Sequence, residues 1–260
     1  MILPLLAAAI LPLPAAVLTK AFDGRHGALV LIDCKSGEVH RHCPTLCSTK
    51  LPPCSTFKIW NTAIGLETGV LASADQPFWK WDGEKRFIEG WNRDLTLRQA
   101  YAASCVPAYQ ALARKIGPVR MDEWLRKLGY GNLDTSSGND VFWLPAPDRT
   151  PILISPDEQA ALLCRLVSGD VPFSENTRGI LRDIMTAKAT DCGTLFGKTG
   201  TGGTGKDTPA IGWFVGYVVS GKSTIAFACV LTGKHSAGKD ARTLVERVAS
   251  SKNDTRASKK

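Results

Sequence analysis

The sequence lacks several features that would indicate other classes of protein. It contains no C-x-x-C pair of the kind that binds zinc and no internal repeat, which excludes a zinc ribbon and a repeat array. Its net charge is +8, but the basic residues are not clustered on one predicted element, so we expect no nucleic-acid partner. The one long apolar run, residues 1–18, is short for a membrane span and contains three prolines, so we expect no stable membrane helix.

The first 21 residues have the composition of an export signal. The apolar stretch is followed by Thr19-Lys20-Ala21, which fits a loose small-residue cleavage site, although no basic residue precedes the stretch. We predict a signal peptide at residues 1–21 and an exported, periplasmic protein; a buried N-terminal helix or strand is the alternative. At the other end, the Ser- and Lys-rich residues 251–260 are predicted to form a polar, flexible tail.

Eight cysteines are compatible with disulfides in an exported chain, but their spacing does not fix which of them pair. Cys43 and Cys47 lie close in sequence to His40 and His42, which leaves a metal site as an alternative. No second pair of ligands has a matching spacing, so we predict no metal site.

Hydrophobic periodicity predicts a helical middle between two strand-rich ends. The simplest architecture is an α/β (α+β) fold in which a central antiparallel sheet flanked by helices faces an all-helical lobe, with the active site in the cleft between them. We predict one domain at residues 22–250, with the sheet lobe at about 22–54 and 188–250 and the helical lobe at about 55–187. The predicted strands are 28–33, 195–200, 211–219 and 224–231. The predicted helices are 55–67, 95–103, 107–116, 121–128, 156 to about 167, 175 to about 186, and 240–250.

The first motif with chemical potential is Ser55-Thr56-Phe57-Lys58, at the start of a helix that is apolar almost all round. Residues three apart project from the same face of a helix, so the Ser55 hydroxyl and the Lys58 amine are expected to be neighbours. The helix N-terminus favours negative charge that develops at Ser55. Burial lowers a lysine pKa, by roughly 3–5 units when it is complete, and a neutral amine can act as a base or react further.

Two further motifs lie where regular structure ends. Ser104-Cys105-Val106 falls at a predicted break between helices, which points a hydroxyl into a cleft. Lys198-Thr199-Gly200 ends a predicted strand, where the two polar side chains can bind an anionic group and the glycine lets a substrate approach the backbone. Residues 200–206 also have the spacing of a phosphate-binding loop; because Asp207 stands at the Mg²⁺-ligand position and a strand follows, nucleotide binding stays only an alternative.

The order and spacing of these motifs resemble those of the class D (oxacillinase-type) serine β-lactamases, over roughly residues 28–248. Ser-x-Val in place of Ser-Asp-Asn, together with Tyr-Gly-Asn, separates this group from class A. The resemblance rests on Ser55-Thr56-Phe57-Lys58-Ile59, Lys80-Trp81-Asp82-Gly83, Trp91-Asn92-Arg93-Asp94, Ser104-Cys105-Val106, Tyr130-Gly131-Asn132, Phe142-Trp143-Leu144 and Lys198-Thr199-Gly200.

The resemblance implies how each residue takes part in hydrolysis of a β-lactam. Ser55 would be the nucleophile and Lys58, carboxylated by CO₂, the general base of both acylation and deacylation, with no cofactor other than CO₂ or bicarbonate. Ser104 and Lys198 would pass a proton to the departing ring nitrogen. The other implied roles are an oxyanion hole from the backbone N–H groups of Ser55 and Thr201, support of the lysine pocket by Val106 and Trp143, and substrate binding by Thr199, Gly200 and Arg242.

The implied partners are β-lactams, namely penicillins and oxacillin-type compounds, with cephalosporins and carbapenems left open. The protein is expected to be a monomer or a homodimer. A different class of function remains as the alternative: a β-lactam sensor or penicillin-binding domain that is acylated at Ser55 but does not turn over. Sensor domains share almost all of these motifs, so only turnover separates the two hypotheses.

Overall fold

Buried apolar runs form the centre of one large antiparallel sheet. The strands are β1 (Gly27–Asp33), β2 (Val39–His42), β3 (Pro77–Trp79), β4 (Leu95–Thr96), β5 (Thr186–Thr190), β6 (Gly193–Gly202), β7 (Ala210–Ser220) and β8 (Ser223–Gly233). The computed structural model describes residues 15–203 and 210–250. Within them, the large sheet has the strand order β2-β1-β8-β7-β6-β5, and β3 pairs with β4 in a small second sheet.

Helices cover both faces of the large sheet. They are α1 (Ala15–Phe22), α2 (Pro44–Ser48), α3 (Lys58–Glu67), α4 (Leu97–Ala102), α5 (Val106–Ile116), α6 (Pro118–Leu128), α7 (Pro156–Ser168), α8 (Glu175–Ile184) and α9 (Gly238–Ser250). On one face, α1 and α9 pack on the sheet around Phe214, Phe227 and Leu244. On the other, α7 and the helical lobe share a core with Val215, Ala228 and Val230. The alternation of side chains along each strand supplies both faces, which confirms the predicted antiparallel sheet between helices.

The helical lobe is built around α3, which continues a 3-10 turn at Cys54–Phe57. Residues 58–65 are all buried, because the helix lies inside the lobe rather than on its surface. Trp60 and Phe57 contact Tyr130, and Phe57 also packs on Phe142. The element that carries Ser55 and Lys58 is therefore held on all sides by the core, and its position is rigid.

The lobes differ from prediction in two places. The helical lobe is not all-helical, since β3 and β4 form a small sheet within it. Leu95 belongs to that sheet instead of a helix because Thr96 forms a capping box with Gln99 and starts α4 at Leu97. The helix predicted to run to about residue 186 ends at Ile184, and Thr186–Thr190 forms the edge strand β5.

The N-terminal boundary of the folded domain also differs. Residues 1–14 and the predicted tail at 251–260 lie outside the described residues. The predicted cleavage site at Thr19-Lys20-Ala21 falls inside α1, whose Leu18 and Phe22 are buried in the core shared with α9. Each such side chain contributes roughly 1.5–3 kcal/mol by burial, so residues 18–22 belong to the packed part of the chain, and the alternative of a packed N-terminal helix fits them.

One disulfide links the sheet to the helical side of the core. Cys34, after β1, is bonded to Cys164 on α7, 130 positions further along the sequence. Within the described residues, none of the helices is both long and apolar enough to cross a membrane. No group of three or more His, Cys, Asp or Glu side chains in the same residues can hold a metal ion.

Loss of this disulfide is expected to destabilise the fold. Cys34→Ser removes a cross-link that closes a long loop, and the expected loss is about 2–5 kcal/mol in the free energy of unfolding by urea. Cys43→Ser, which changes a free cysteine, is the matched control. Equal stability of Cys34→Ser and wild type under non-reducing conditions would show that the cross-link does not constrain the chain.

Candidate active site

The two residues of the first motif are in hydrogen-bond contact. The 3-10 turn and the first turn of α3 bring Lys58 Nζ to 2.8 Å from Ser55 Oγ. Ser55 is partly exposed, while Lys58 is fully buried. Cys54, immediately before Ser55, has a positive φ of 52°, which is uncommon for a residue other than glycine. The hydroxyl therefore faces solvent-accessible space with the amine directly beneath it.

Lys58 is held where a charged amine is disfavoured. Its pKa lies well below the usual lysine range, first because of burial and second because of the nearby charge of Lys198. Two thiols, Cys54 and Cys105, are also close, but burial raises the pKa of both, and that of Cys54 reaches about 12. At neutral pH these thiols are uncharged and give the amine no counter-ion, so the neutral amine is favoured.

Trp143 contributes an unused donor to the buried part of the site. Its ring is fully buried and stacks on Phe57, with the ring centroids 5.4 Å apart. Its indole Nε1 has no hydrogen-bond partner among the described residues. A buried N–H group without an acceptor costs about 1–3 kcal/mol of stability. An acceptor added next to Trp143 Nε1 would therefore be bound favourably.

The second and third motifs also place a lysine amine within hydrogen-bond distance of a serine hydroxyl. Lys198 Nζ lies 3.0 Å from Ser104 Oγ and donates to the Thr199 carbonyl oxygen at 3.0 Å. Ser104 stands in the turn between α4 and α5 with a φ of 51°, and Trp91 Nε1 fixes that turn by donating to the Ala103 carbonyl. Burial lowers the pKa of Lys198 to about 7, so its charged and neutral forms coexist near neutral pH.

Strand β6 brings these residues next to Ser55. Beyond Gly197, no strand of the described residues pairs with β6 on the β5 side, and this edge of β6 contacts the 3-10 turn. A Cβ atom on Gly200 would lie 3.0 Å from the Pro53 carbonyl oxygen and 3.2 Å from the Thr56 nitrogen. The glycine thus permits a close approach of β6 to the 3-10 turn, whereas the approach of a substrate to Gly200 stays a prediction.

The chain is similar to known proteins over most of its length. Residues 27–250 match the penicillin-binding protein transpeptidase domain family. Among curated proteins, β-lactamase OXA-5 of Pseudomonas aeruginosa is 37% identical over 204 residues, which cover 78% of this chain and 74% of that protein. OXA-10 of the same organism is 38% identical over 214 residues, covering 80% and 78%. Among solved structures, the class D β-lactamase FUS-1 (OXA-85) of Fusobacterium nucleatum superposes with a TM-score of 0.81 at 35% identity, covering 91% of this chain and 96% of that one.

The chain belongs to the class D β-lactamases. Its activity is accordingly that of a serine β-lactamase, a hydrolase that acts on β-lactams. The predicted α/β (α+β) fold, an antiparallel sheet flanked by helices beside a helical lobe, is confirmed, and it is of the β-lactamase/transpeptidase type.

In this class D β-lactamase, the other predicted site residues Val106, Thr201 and Arg242 lie on three different elements. Val106 begins α5 directly after the Ser104 turn and is half-buried. Thr201 lies on β6, and its hydroxyl accepts a hydrogen bond of 2.8 Å from the Gly238 N–H at the start of α9. Arg242 lies on α9, but its guanidinium pairs with Glu246 at 2.8 Å, one turn further along the helix. The structure thus places Ser55 in contact with Lys58 and Ser104 in contact with Lys198. Arg242, by contrast, forms an ion pair with Glu246.

Sequence reasoning missed two aromatic side chains beneath the lysines. The Tyr109 ring centroid is 5.4 Å from Lys58 Nζ, and the Tyr101 ring centroid is 5.7 Å from Lys198 Nζ. Both rings are buried. An aromatic face attracts a cation, so each ring lets a buried lysine retain some access to its charged form. In the sequence the two tyrosines occupy ordinary core positions of helices. The motifs therefore single out the lysines but not the tyrosines.

The described residues do not support either alternative ligand site, and residues 204–206 of the phosphate-loop spacing lie outside them. Gly200, Thr201 and Gly202, which begin the phosphate-loop spacing, are paired with β7 in the sheet. The next described element after them is that strand, where a phosphate loop requires a helix N-terminus. His40 pairs with Glu38 and His42 stacks on the Phe22 ring, so neither histidine is arranged toward a metal.

Proposed function

We propose that the protein hydrolyses β-lactams through an acyl-enzyme on Ser55, with Lys58 carboxylated by CO₂. The observation that carries the proposal is the contact between Ser55 Oγ and a fully buried Nζ whose pKa is strongly lowered. Only an uncharged amine attacks CO₂, and burial keeps Lys58 uncharged. The carboxylated lysine supplies the general base of the reaction. The unpartnered Trp143 Nε1 supports this assignment because it offers a donor to an added anion.

The chain's own residues account for acylation. Ser55 gives up its proton toward position 58 as its oxygen bonds to the lactam carbonyl carbon, and the backbone N–H groups of Ser55 and Thr201 hold the developing oxyanion. The ring C–N bond then breaks. Ser104 donates its proton to the departing nitrogen, and Lys198, at 3.0 Å, replaces that proton from its ammonium form. A lysine whose pKa is about 7 suits this exchange, because it can give and regain a proton at neutral pH.

Deacylation reverses the proton path at Ser55. A water molecule gives up its proton toward position 58, attacks the acyl carbonyl carbon, and the ester bond to Ser55 breaks as Oγ regains a proton. The substrate carboxylate is proposed to bind at Thr199 and Gly200, with Arg242 joining when it exchanges Glu246 for the substrate. The proposed substrates are penicillins and oxacillin-type compounds, and the proposed location is the periplasm, where the bond between Cys34 and Cys164 is favoured.

Hydrolysis of a chromogenic cephalosporin and a panel of penicillins, from pH 8 to pH 5 with and without bicarbonate, tests this function. As pH falls through the lowered pKa of Lys58, the amine gains a proton and can no longer hold CO₂. The expected result is a rate that falls toward acid pH and is restored, in whole or in part, by added bicarbonate. A sensor or penicillin-binding domain would instead show one molecule of stable acylation at Ser55 by mass spectrometry and no turnover.

Replacing Trp143 with phenylalanine is expected to weaken carboxylation without disturbing the core. The aromatic packing on Phe57 is retained, but the single buried donor is lost. Because a hydrogen bond to a charged group is worth about 1.5–3 kcal/mol, the affinity for CO₂ should fall by roughly 10- to 150-fold. Titration of hydrolysis with bicarbonate measures this shift, and Trp124→Phe on α6 is the control. An unchanged bicarbonate requirement would remove Trp143 from the site.

A further inference from the structure

A cavity separate from the active site lies toward the β7–β8 hairpin, away from the end of β6 that carries Lys198. It has a volume of about 260 Å³, below the roughly 300–1,000 Å³ of pockets for drug-sized molecules. One part of its wall is apolar and the other is polar, as in a site for an amphipathic ligand. The apolar lining is Leu166, Val167, Leu181, Met185 and Val219, and the polar lining includes Glu175, Arg178, Arg182, Tyr217 and Thr224.

Arg178 brings an unsatisfied donor to this cavity. Its Nε is buried and has no hydrogen-bond partner among the described residues. The guanidinium is held beside Gly169, where a Cβ atom would lie 2.7 Å from Nη1, and the φ of 82° at Gly169 also favours glycine. Because Arg178 lines the cavity and its guanidinium has an unsatisfied N–H group, an anionic ligand bound there would give this guanidinium a partner.

The polar side of the cavity continues with Arg182, one helical turn after Arg178 on α8, and with Tyr217 on β7. The Arg182 guanidinium carbon is 5.4 Å from the centroid of the Phe196 ring, which stacks on Tyr217 at 5.0 Å. The Tyr217 pKa is raised to about 12 by burial, so its hydroxyl remains a donor at neutral pH. Glu175 also lines the cavity, and with its negative charge counted against the two arginines the wall carries a net charge of one positive unit.

We propose that this cavity binds a small organic monoanion, a carboxylate with a medium-length alkyl or an aryl body. The carboxylate would lie against Arg178 and Arg182, since a guanidinium presents paired N–H groups that match two carboxylate oxygens. The alkyl or aryl body would cover the apolar wall formed by α7, α8 and β7. The volume fits a ligand smaller than a drug-sized molecule, which distinguishes this site from that of the β-lactam substrate.

Calorimetric titration of the full chain with octanoate and with phenylacetate tests the proposal and separates the alkyl from the aryl class. Octan-1-ol, which lacks the carboxylate, is expected to bind at least tenfold more weakly than octanoate. Arg178→Met should weaken the preferred carboxylate about tenfold or more, and Arg178→Lys, which keeps the charge but loses the paired donors, should weaken it less. Arg126→Met, on the exposed side of α6, is the control and should bind as wild type does.

The same titrations are repeated after Ser55 has been acylated by a slowly released β-lactam. Binding that persists and that depends on Arg178 supports the cavity as the site. Loss of binding on acylation would mean that the carboxylate occupies the active site, and equal binding by wild type and Arg178→Met, or no binding of either carboxylate, would overturn the proposal. Hydrolysis by the wild type is measured separately, so failure of this site is distinct from failure of the proposed function.

Discussion

Replacement of Ser55 with alanine is expected to abolish β-lactam turnover, with a fall in kcat on the order of 10⁴–10⁶. The hydroxyl is the group that would form the acyl bond, and it is the one partly exposed member of its pair with Lys58. Because no other step can proceed without the acyl bond, the variant should also show no mass increase when it is incubated with a penicillin. Steady-state hydrolysis and intact-protein mass spectrometry measure the two effects.

Ser48→Ala is the matched control for this experiment. Ser48 is an exposed serine at the end of α2 whose hydroxyl donates to the Thr45 carbonyl oxygen. It should retain wild-type turnover and wild-type acylation. Residual hydrolysis by Ser55→Ala above about one part in 10³ of the wild-type rate would mean that another nucleophile, or a directly activated water, opens the ring.

Replacement of Lys58 with methionine is expected to leave an enzyme that is acylated slowly and then stays acylated. Removal of a general base costs about 10²- to 10⁴-fold, and here it applies to both steps. Because Lys58 is the basic side chain that contacts Ser55 Oγ among the described residues, its loss should slow deacylation and the acyl-enzyme should accumulate. Rapid-quench mass spectrometry follows its formation and decay, and Lys222→Met, in the exposed β7–β8 turn, is the control.

The same variant is expected to be at least as stable as the wild type. The pKa of Lys58 is far lower in the folded protein than in the unfolded chain, where a lysine titrates near about 10.4. Below that pH the unfolded chain binds a proton that the folded protein releases, so Lys58 lowers the stability at neutral pH. Methionine removes this cost and fills a similar volume, so Tm at pH 7, measured for both proteins in buffer free of CO₂ and bicarbonate, should not fall. A large loss of stability would show that the amine contributes to the fold rather than burdening it.

The sequence was most informative where the chemistry is local. Ser55 and Lys58 are three residues apart in one helical turn, so their contact follows from helix geometry alone. Ser104 and Lys198 are 94 residues apart, and their contact could be predicted only because the whole motif set resembles a known family. The same resemblance brought in Trp143, whose buried and unpartnered Nε1 no periodicity reveals.

What could not be predicted depends on partners distant in sequence. Cys34 and Cys164 are two of eight cysteines, and only the packing of β1 on α7 selects them. Thr186–Thr190 is not among the predicted strands, and it becomes a strand because the edge of β6 offers it hydrogen bonds that local propensity does not reveal. The ion pair of Arg242 with Glu246 joins residues one helical turn apart. Whether Arg242 can reach a substrate depends instead on the packing of α9 against β6, which the sequence does not reveal.

The buried lysines give the active site its chemistry and also its energetic cost. Lys58 and Lys198 both lie in the core with lowered pKa values, and neither is paired with a carboxylate among the described residues. A chain selected for stability alone would place apolar side chains there. We propose that both lysines are kept for the reaction, Lys58 as the site of the general base and Lys198, in its ammonium form, as a source of protons.

Carbon-13 NMR of the protein equilibrated with ¹³C-labelled bicarbonate tests this account most directly. At neutral pH the wild type should give one carbamate resonance, which disappears in Lys58→Met and at acid pH and returns when the pH is raised. A wild-type spectrum without any carbamate signal, from protein that nevertheless hydrolyses β-lactams at full rate, would contradict the assignment of Lys58 as the carboxylated base.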